Sequence, residues 1–320
     1  MNNLKKIGLT ALAGSLVATS VAYAAELSVS GAASMSVQNH SQKATGKNVK
    51  MGNSVYFKGA GETDGGLNVA LSFELDQANA AGTAGVYDNH SVSIGNDTLG
   101  TLTVHGHGGS NSAAALDTTA AGDLWDSTLG LTTTGTNAAR MAPLASTSGD
   151  NLVVYTLPSM IDGLSVGVSS QLATTGGSAS TAFGVTYAGI DGLSVSYGQG
   201  DTSGAKDVSG DQTIMKASYV LGSITASVSQ NDFDHTTNTI DQTVTGYGLS
   251  YTVSDAISLT YGEETIDRAL QVSDIEVKGY TASYTTGGMT VSVASKSADN
   301  VDHTAAANNE MWQLALSLAF

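Results

Sequence analysis

The side chains of this chain that could take part in chemistry are histidines and clustered carboxylates. His105 and His107 stand two residues apart in a segment of alternating polarity, so a strand would place both imidazoles on one face. Two imidazoles can bind a metal ion, but without a third ligand nearby the site would be weak. Simple polarity at a strand end is the alternative interpretation, and we predict no metal site here.

Carboxylates cluster further along the chain. Glu263, Glu264 and Asp267 form one group, and Asp274 and Glu276 form a second. Carboxylate oxygens are the ligands that Ca²⁺ prefers, whereas acids in loops are also common as solvated surface charge. The prediction is therefore that no cofactor is required, and loop-bound Ca²⁺ stays open as an alternative.

The sequence contains no recognisable arrangement of catalytic residues. A nucleophilic serine needs a histidine and an orienting acid close in space, and the spacing of the six histidines fixes no such proximity. Gly108-Gly109 is not followed by Lys-Ser or Lys-Thr, so it is not a phosphate-binding loop. Cysteine is absent, which excludes disulfides and thiolate metal sites. We predict that the protein is not an enzyme.

The charge of the chain excludes a second class of function. Asp and Glu number 28 against 12 Lys and Arg, which gives a formal net charge of −16. A nucleic-acid-binding protein needs a basic surface that displaces the counterions of phosphates. We therefore expect no nucleic-acid partner.

The first 24 residues have the pattern of a secretory signal peptide. Lys5 and Lys6 precede the mostly apolar stretch 7–21, and Ala22-Tyr23-Ala24 provides an A-x-A cleavage site. The apolar stretch is too short and too rich in Ala, Gly and Ser for a good membrane helix. We predict a signal peptide over 1–24 and one domain over 25–320.

Alternation of apolar and polar residues predicts that this domain is made of strands. In the segment 67–76, Leu, Val and Phe side chains fall on one face, and Asn, Ala, Ser, Glu and Asp fall on the other. The segment 312–320 repeats the pattern with Trp312 and Phe320 on its apolar face. Sixteen such segments occur, joined alternately by short turns and longer polar loops, and period 2 excludes helices.

Aromatic residues mark one end of the later strands at nearly constant spacing. Intervals of 32, 32, 32, 33 and 36 residues separate Tyr155, Tyr187, Tyr219, Tyr251, Tyr284 and Phe320. Such a period corresponds to one strand down and one strand up. Because a tyrosine ring is apolar and its hydroxyl prefers water, we predict an aromatic girdle at a lipid–water boundary.

The two faces of the strands decide the architecture. One face is rich in Leu, Val, Ile, Phe and Tyr, and the other is mostly Ser, Thr, Gly and Ala. Small polar residues cannot fill the core of a sandwich, but they suit a water-filled lumen. A closed barrel also leaves no unpaired strand edge in lipid. The predicted fold class is all-β, a 16-stranded antiparallel transmembrane β-barrel with short periplasmic turns and long outer loops.

Several motifs resemble those of Gram-negative general diffusion porins of the alphaproteobacterial type. Phe57-Lys58-Gly59 resembles the end of the family's second strand, Gly100 to Val104 its fifth strand, and Tyr155 to Pro158 the end of its sixth. The resemblance implies that residues 108–149, here called the third loop, fold into the barrel. It also implies a homotrimer in the outer membrane, and recognition of Phe320 by the barrel assembly machinery.

In porins of this kind, acids of the third loop face basic residues of the wall at a constriction. The candidates in this chain are Lys58, His105, His107, Asp117, Asp123, Asp126, Arg140 and Lys216. Only three of them are clearly basic, and Ser54 and Val154 stand where the family often has a base. We therefore predict passive diffusion of ions and small hydrophilic solutes with a preference for cations, because a negative lumen concentrates cations. A substrate-specific channel is the alternative.

Overall fold

Sixteen antiparallel strands form one closed barrel in which each strand pairs with its neighbours in sequence and the first pairs with the last. The computed structural model describes residues 26–41, 47–76, 87–124, 150–172, 179–202, 210–236 and 241–320. The first eight strands are Glu26–His40 (β1), Lys47–Glu62 (β2), Asn68–Asp76 (β3), Tyr87–Asn96 (β4), Gly100–His107 (β5), Leu152–Thr156 (β6), Leu164–Gln171 (β7) and Ser180–Ile190 (β8). The other eight are Leu193–Thr202 (β9), Gly210–Leu221 (β10), Ile224–His235 (β11), Gln242–Ser254 (β12), Ile257–Arg268 (β13), Ile275–Thr286 (β14), Met289–Asp299 (β15) and Asn309–Ala319 (β16).

The barrel closes where β1 meets β16, with Ala32 opposite Ala319 and Gln38 opposite Gln313. The predicted fold class is thus confirmed, down to the number of strands. Nowhere in the described ranges is there a helix of the length and apolarity needed to cross a membrane. The signal peptide predicted for residues 1–24 lies outside the described residues.

The two ends of the barrel differ. At the end that carries Phe320, tight turns join the strands, and we call it the short-turn end; the opposite end is the long-loop end. In the repeated Ile-Asp-Gly-Leu-Ser-Val turns, Gly163 and Gly192 both have a φ of 73°. A side chain disfavours this left-handed conformation, so glycine is required at the tip of each turn.

Several strands reach further toward the long-loop end than alternation predicts. β2 begins at Lys47, whereas the sequence pattern predicts a start near residue 53 and a polar loop before it. In the extension Val49 and Met51 are exposed on the outer face, and they alternate with inward polar residues such as Lys50. Inward lysines and glycines make the sequence of this stretch resemble a loop, and for this reason the sequence pattern does not predict the first residues of the strand.

The inner face has two zones. Toward the short-turn end it is lined by small polar residues, as predicted. Toward the long-loop end the inward positions of the strands are apolar instead of polar, and their side chains are buried. This cluster comprises Leu124, Val244, Ile266, Ile275, Val277, Ala298, Val301 and Met311. It is a small core inside the barrel, on which the third loop and the loop after β15 both pack, and the sequence interpretation missed it.

Candidate functional site

The described part of the third loop, residues 108–124, runs inside the barrel along the inner face of β7 to β14. Several residues of the wall beneath it are glycines that the loop approaches closely. A Cβ built on Gly262 would lie 2.9 Å from the Cβ of Ala121, and one built on Gly198 would lie 3.1 Å from the Cα of Ala113. We call these glycines the glycine track: Gly184, Gly198, Gly246, Gly248, Gly262 and Gly279. Because a side chain at these positions would crowd the loop, the track fixes how closely residues 108–124 approach the wall.

Polar side chains of the wall bind the backbone of the third loop. The hydrogen bonds run from Ser112 N to Ser169 Oγ (2.9 Å), Lys216 Nζ to Thr118 O (2.7 Å), Ser227 Oγ to Ala120 O (3.0 Å), and Asn231 Nδ2 to Asp117 O (2.5 Å). These bonds satisfy loop groups that would otherwise be unpaired, and they confirm that the third loop folds inward.

Two acids of the third loop that were predicted as constriction candidates, Asp117 and Asp123, lie close to each other, and Lys216 lies near Asp117. The pKa of Asp117 is raised to about 6, chiefly by burial and then by the nearby charge of Asp123, while the charge of Lys216 opposes both effects. Asp123 has a left-handed φ of 53° and exchanges hydrogen bonds with Thr119. Lys216, however, lies on the wall under the loop and does not face it from across the lumen. Asp126 and Arg140 lie outside the described residues.

The described part of the third loop leaves most of the inner face of β16 and β1 to β5 uncovered, and we call this face the open wall. Lys58 lies there on β2, with its Nζ 5.8 Å from the ring centroid of Tyr56. The neighbouring strands β3 and β4 carry three acids, Glu74, Asp76 and Asp88, whose carboxylate oxygens all lie within 4.8 Å of one another. The open wall therefore carries a group of acids as well as a base, which the sequence interpretation did not anticipate.

The two histidines have different environments. The pairing of β4 with β5 shifts by one residue, because His90 pairs with His107 while Ser91 pairs with His105. His105 packs against Gly109 at the start of the third loop. His107 instead contacts Asp150 (Nδ1 to Oδ1, 2.5 Å) and Asp88 (Nε2 to Oδ1, 3.5 Å). The extra residue of the bulge thus separates two imidazoles that simple alternation would place side by side.

Two of the carboxylates considered for Ca²⁺, Glu263 and Glu264, lie on opposite faces of β13. Glu263 lies on the outer face of β13, 3.6 Å from Lys278 Nζ, and accepts a hydrogen bond from the Tyr261 hydroxyl. Glu264, the next residue, is completely buried inside the barrel. Adjacent residues of a strand point to opposite faces, so these two acids do not form one cluster.

Alternation alone could have found further site residues. Lys296 faces inward on β15, where its Nζ lies 3.4 Å from Leu124 O. Glu74 and Asp76 lie on the polar face of β3 in the sequence pattern itself. The resemblance directed attention to positions where the family often has bases, and these residues lie elsewhere.

The predicted girdle residues lie on the outer face at the short-turn end. The rings of Tyr187, Tyr219, Tyr251 and Tyr284 are exposed, and that of Phe320 is 77% exposed. Tyr155 is half-buried, and its hydroxyl donates to Leu99 O (2.5 Å). A second aromatic row, which the sequence interpretation missed, lies nearer the long-loop end. It consists of Phe183, Tyr197, Tyr247, Tyr261, Tyr280 and Trp312.

Apolar residues fill the outer face between the two rows. Leu249, for example, is 49% exposed between Tyr247 and Tyr251 on β12. Beyond the second row, outward residues are polar or charged, such as Glu263, Glu276 and Lys278. An apolar band flanked by aromatic rows is typical of a barrel that spans a membrane.

Comparisons with known proteins agree with this geometry. The profile of the family described as Gram-negative porin matches residues 8–285. No curated protein matches the chain. Among solved structures, the fold is similar to the anion-selective porin from Comamonas acidovorans, with a TM-score of 0.67 and 15% identity over 93% of this chain and 100% of that chain.

Two further structures show the same fold. A triple mutant of the Rhodopseudomonas blastica porin has a TM-score of 0.65 and 15% identity, and covers 92% of this chain and 100% of its own. A porin refined at 1.8 Å resolution has a TM-score of 0.64 and 18% identity, with the same coverage. Together with the family match, the closed barrel and its inward loop point to a channel and not to an enzyme. This chain belongs to the Gram-negative porin family and forms an outer-membrane porin channel.

Proposed function

We propose that this porin is a general diffusion pore for ions and small hydrophilic solutes. The observation that carries the proposal is the hydroxyl-rich inner wall beside the third loop. It is lined by Ser218, Thr225, Ser227, Ser250, Thr260, Thr281 and Ser283. Among the described side chains, Tyr56 and Phe233 are the inward phenyl rings of the strands, and Phe233 is buried. A row of aromatic rings, which a sugar-specific channel would need, is therefore not found in the described part of the wall.

Swelling of liposomes that contain the protein tests this proposal. A general pore should admit uncharged solutes at rates that fall smoothly with solute size and do not saturate with concentration. Saturable uptake of one solute would instead support a substrate-specific channel. We also propose that the protein is a homotrimer and that residues 1–24 are removed before assembly. Chemical crosslinking of the unheated protein in detergent tests the homotrimer.

We propose further that the pore prefers cations. The cluster of three acids on the open wall, Glu74, Asp76 and Asp88, supports this proposal, because clustered carboxylates create a negative potential along the ion path. The ammonium groups of Lys216 and Lys296 are directed at carbonyl oxygens of the third loop. Acids on the outer face near the long-loop end, such as Asp211 and Glu310, add to the negative field at the mouth.

The reversal potential across a planar bilayer in a salt gradient measures this preference. We expect the sign of a cation-selective pore. Asp76→Asn should lower the cation-to-anion permeability ratio by roughly twofold, the effect of one unit charge about 5 Å from the ion path under moderate screening. Asp211→Asn, which removes an acid from the outer face, is the matched control and should change the ratio less. A reversal potential of anionic sign would contradict the preference.

The preference should also depend on pH. Because the pKa of Asp117 is raised to about 6, this loop acid is mostly neutral below pH 6 and mostly charged above it. Raising the pH through this range therefore adds one negative charge beside Asp123 and Lys216, and the permeability ratio should rise roughly twofold. Asp117→Asn should remove this step from the pH profile, whereas Asp162→Asn in a short turn should keep it. An unchanged profile in Asp117→Asn would exclude this carboxyl from the ion path.

A further inference from the structure

One buried carboxylate lies beneath the far end of the described loop. Glu264 is on the inner face of β13 and is 0% exposed. Its Oε1 accepts hydrogen bonds from the Thr119 hydroxyl and from the backbone N–H of Leu124 (2.9 Å). Between these contacts, Thr119 N–H donates to Asp123 Oδ1 (2.9 Å) and Asp123 N–H donates to Thr119 Oγ1 (3.0 Å). A single carboxylate oxygen thus holds both ends of the turn 119–124.

These bonds have a strong physical basis. A carboxylate buried without hydrogen bonds is very unfavourable, and bonds to a charged acceptor are about twice as strong as neutral ones. Any movement of the turn away from the wall would break both contacts and leave Glu264 less well solvated. The turn therefore has a deep energy minimum against β13.

The surroundings of Glu264 restrict the turn further. Gly262 lies on the same strand and lets Ala121 approach closely. On the other side, the Leu124 side chain packs into the internal apolar cluster, where Ile266 is fully buried. The turn is therefore held by a polar contact at its centre, by a close backbone approach on one side and by an apolar contact on the other.

We propose that Glu264 is a positioning residue of the pore: it keeps the turn 119–124 of the third loop seated on the glycine track and so stabilises one conducting state of the channel. The inference rests on the proposed function, because it concerns the same ion path. It makes no use of Glu264 as a charge in that path, since the side chain is buried behind the loop.

Single-channel recording of Glu264→Gln tests the proposal. The substitution keeps the shape of the side chain but removes its charge, so the N–H of Leu124 and the hydroxyl of Thr119 lose a strong common acceptor. We expect brief partial closures to become roughly tenfold more frequent, which corresponds to about 1.4 kcal/mol in favour of displaced loop positions. The matched control is Glu263→Gln, because that acid lies one residue away on the outer face.

A second variant separates positioning from barrel stability. Thr119→Val removes one of the two donors and should raise the closure frequency, and combining it with Glu264→Gln should add little, because both changes weaken the same contact. Folding is followed by the shift in gel mobility on heating, which all four variants should retain. If the wild type conducts and Glu264→Gln shows partial closures no more often than Glu263→Gln, the inference is overturned while the proposed pore function stands. If wild type passes no current, the proposed function is overturned and the inference with it.

Discussion

Leu249→Arg is expected to destabilise the folded barrel in a lipid bilayer by about 2–4 kcal/mol, the cost of placing an arginine at the middle of the lipid-facing band of a β-barrel. Leu249 points outward on β12 midway between Tyr247 and Tyr251, which belong to the two aromatic rows, and its side chain is 49% exposed. Equilibrium unfolding in urea in the presence of lipid vesicles measures the free energy of unfolding.

Ser250→Arg is the matched control for this prediction. Ser250 is the next residue of the strand, and it lines the lumen beside the third loop. An arginine there lies in water, so the free energy of unfolding should stay close to that of wild type. The added positive charge should instead shift the reversal potential toward anions. If the two variants were equally stable, the outward band would not face lipid, and the assignment of the two aromatic rows to the membrane boundaries would be wrong.

Gly248→Leu should produce the largest change in the pore itself. A Cβ built on Gly248 would overlap the carbonyl oxygen of Ala120, and backbone atoms cannot turn aside as a flexible side chain can. The third loop would have to move by roughly 1–2 Å to restore ordinary van der Waals separation. We expect single-channel conductance to fall by roughly half, because conduction through a pore depends on its narrowest diameter.

Gly59→Leu controls for the loss of a glycine from a strand. A Cβ built on Gly59 meets no atom within 4 Å, and the residue lies on the outer face of β2. This variant should keep wild-type conductance. If Gly248→Leu also conducted like wild type while remaining folded, the glycine track would not set the position of the loop. An increase in conductance would show that the loop leaves the wall and widens the lumen.

The strands were predictable because their signal is local. Each segment needs only its own alternation to show where it lies and which side chains face outward, and Tyr251 was assigned to the outer face correctly in this way. Prediction failed where the local contrast is weak. At the start of β2, Val49 and Met51 alternate with lysine and glycine. This stretch resembles a polar loop, although it pairs fully with β1.

The constriction was predictable only in part. A long segment that contains Asp117 and Asp123 after the fifth strand, together with the family resemblance, indicated the loop that folds inward. It did not indicate what the loop would touch. The hydrogen bond from Lys216 to Thr118 joins residues 98 positions apart, and the bond from Leu124 to Glu264 spans 140. No spacing in the sequence relates such residues, because their proximity follows from closure of the barrel.

The sequence by itself determined that this chain forms a barrel of sixteen strands with an apolar outer band, since these properties follow from a period of two residues repeated along each strand. The tertiary structure decided which of the described side chains line the lumen and what the described part of the third loop contacts. Closure of the barrel brings the inner faces of β7 to β14 under one loop. Only there do the glycines form the glycine track, and only there does Glu264 contact the loop and Val244 pack into the internal apolar cluster. These roles depend on contacts between distant strands and a loop, and local sequence patterns do not contain them.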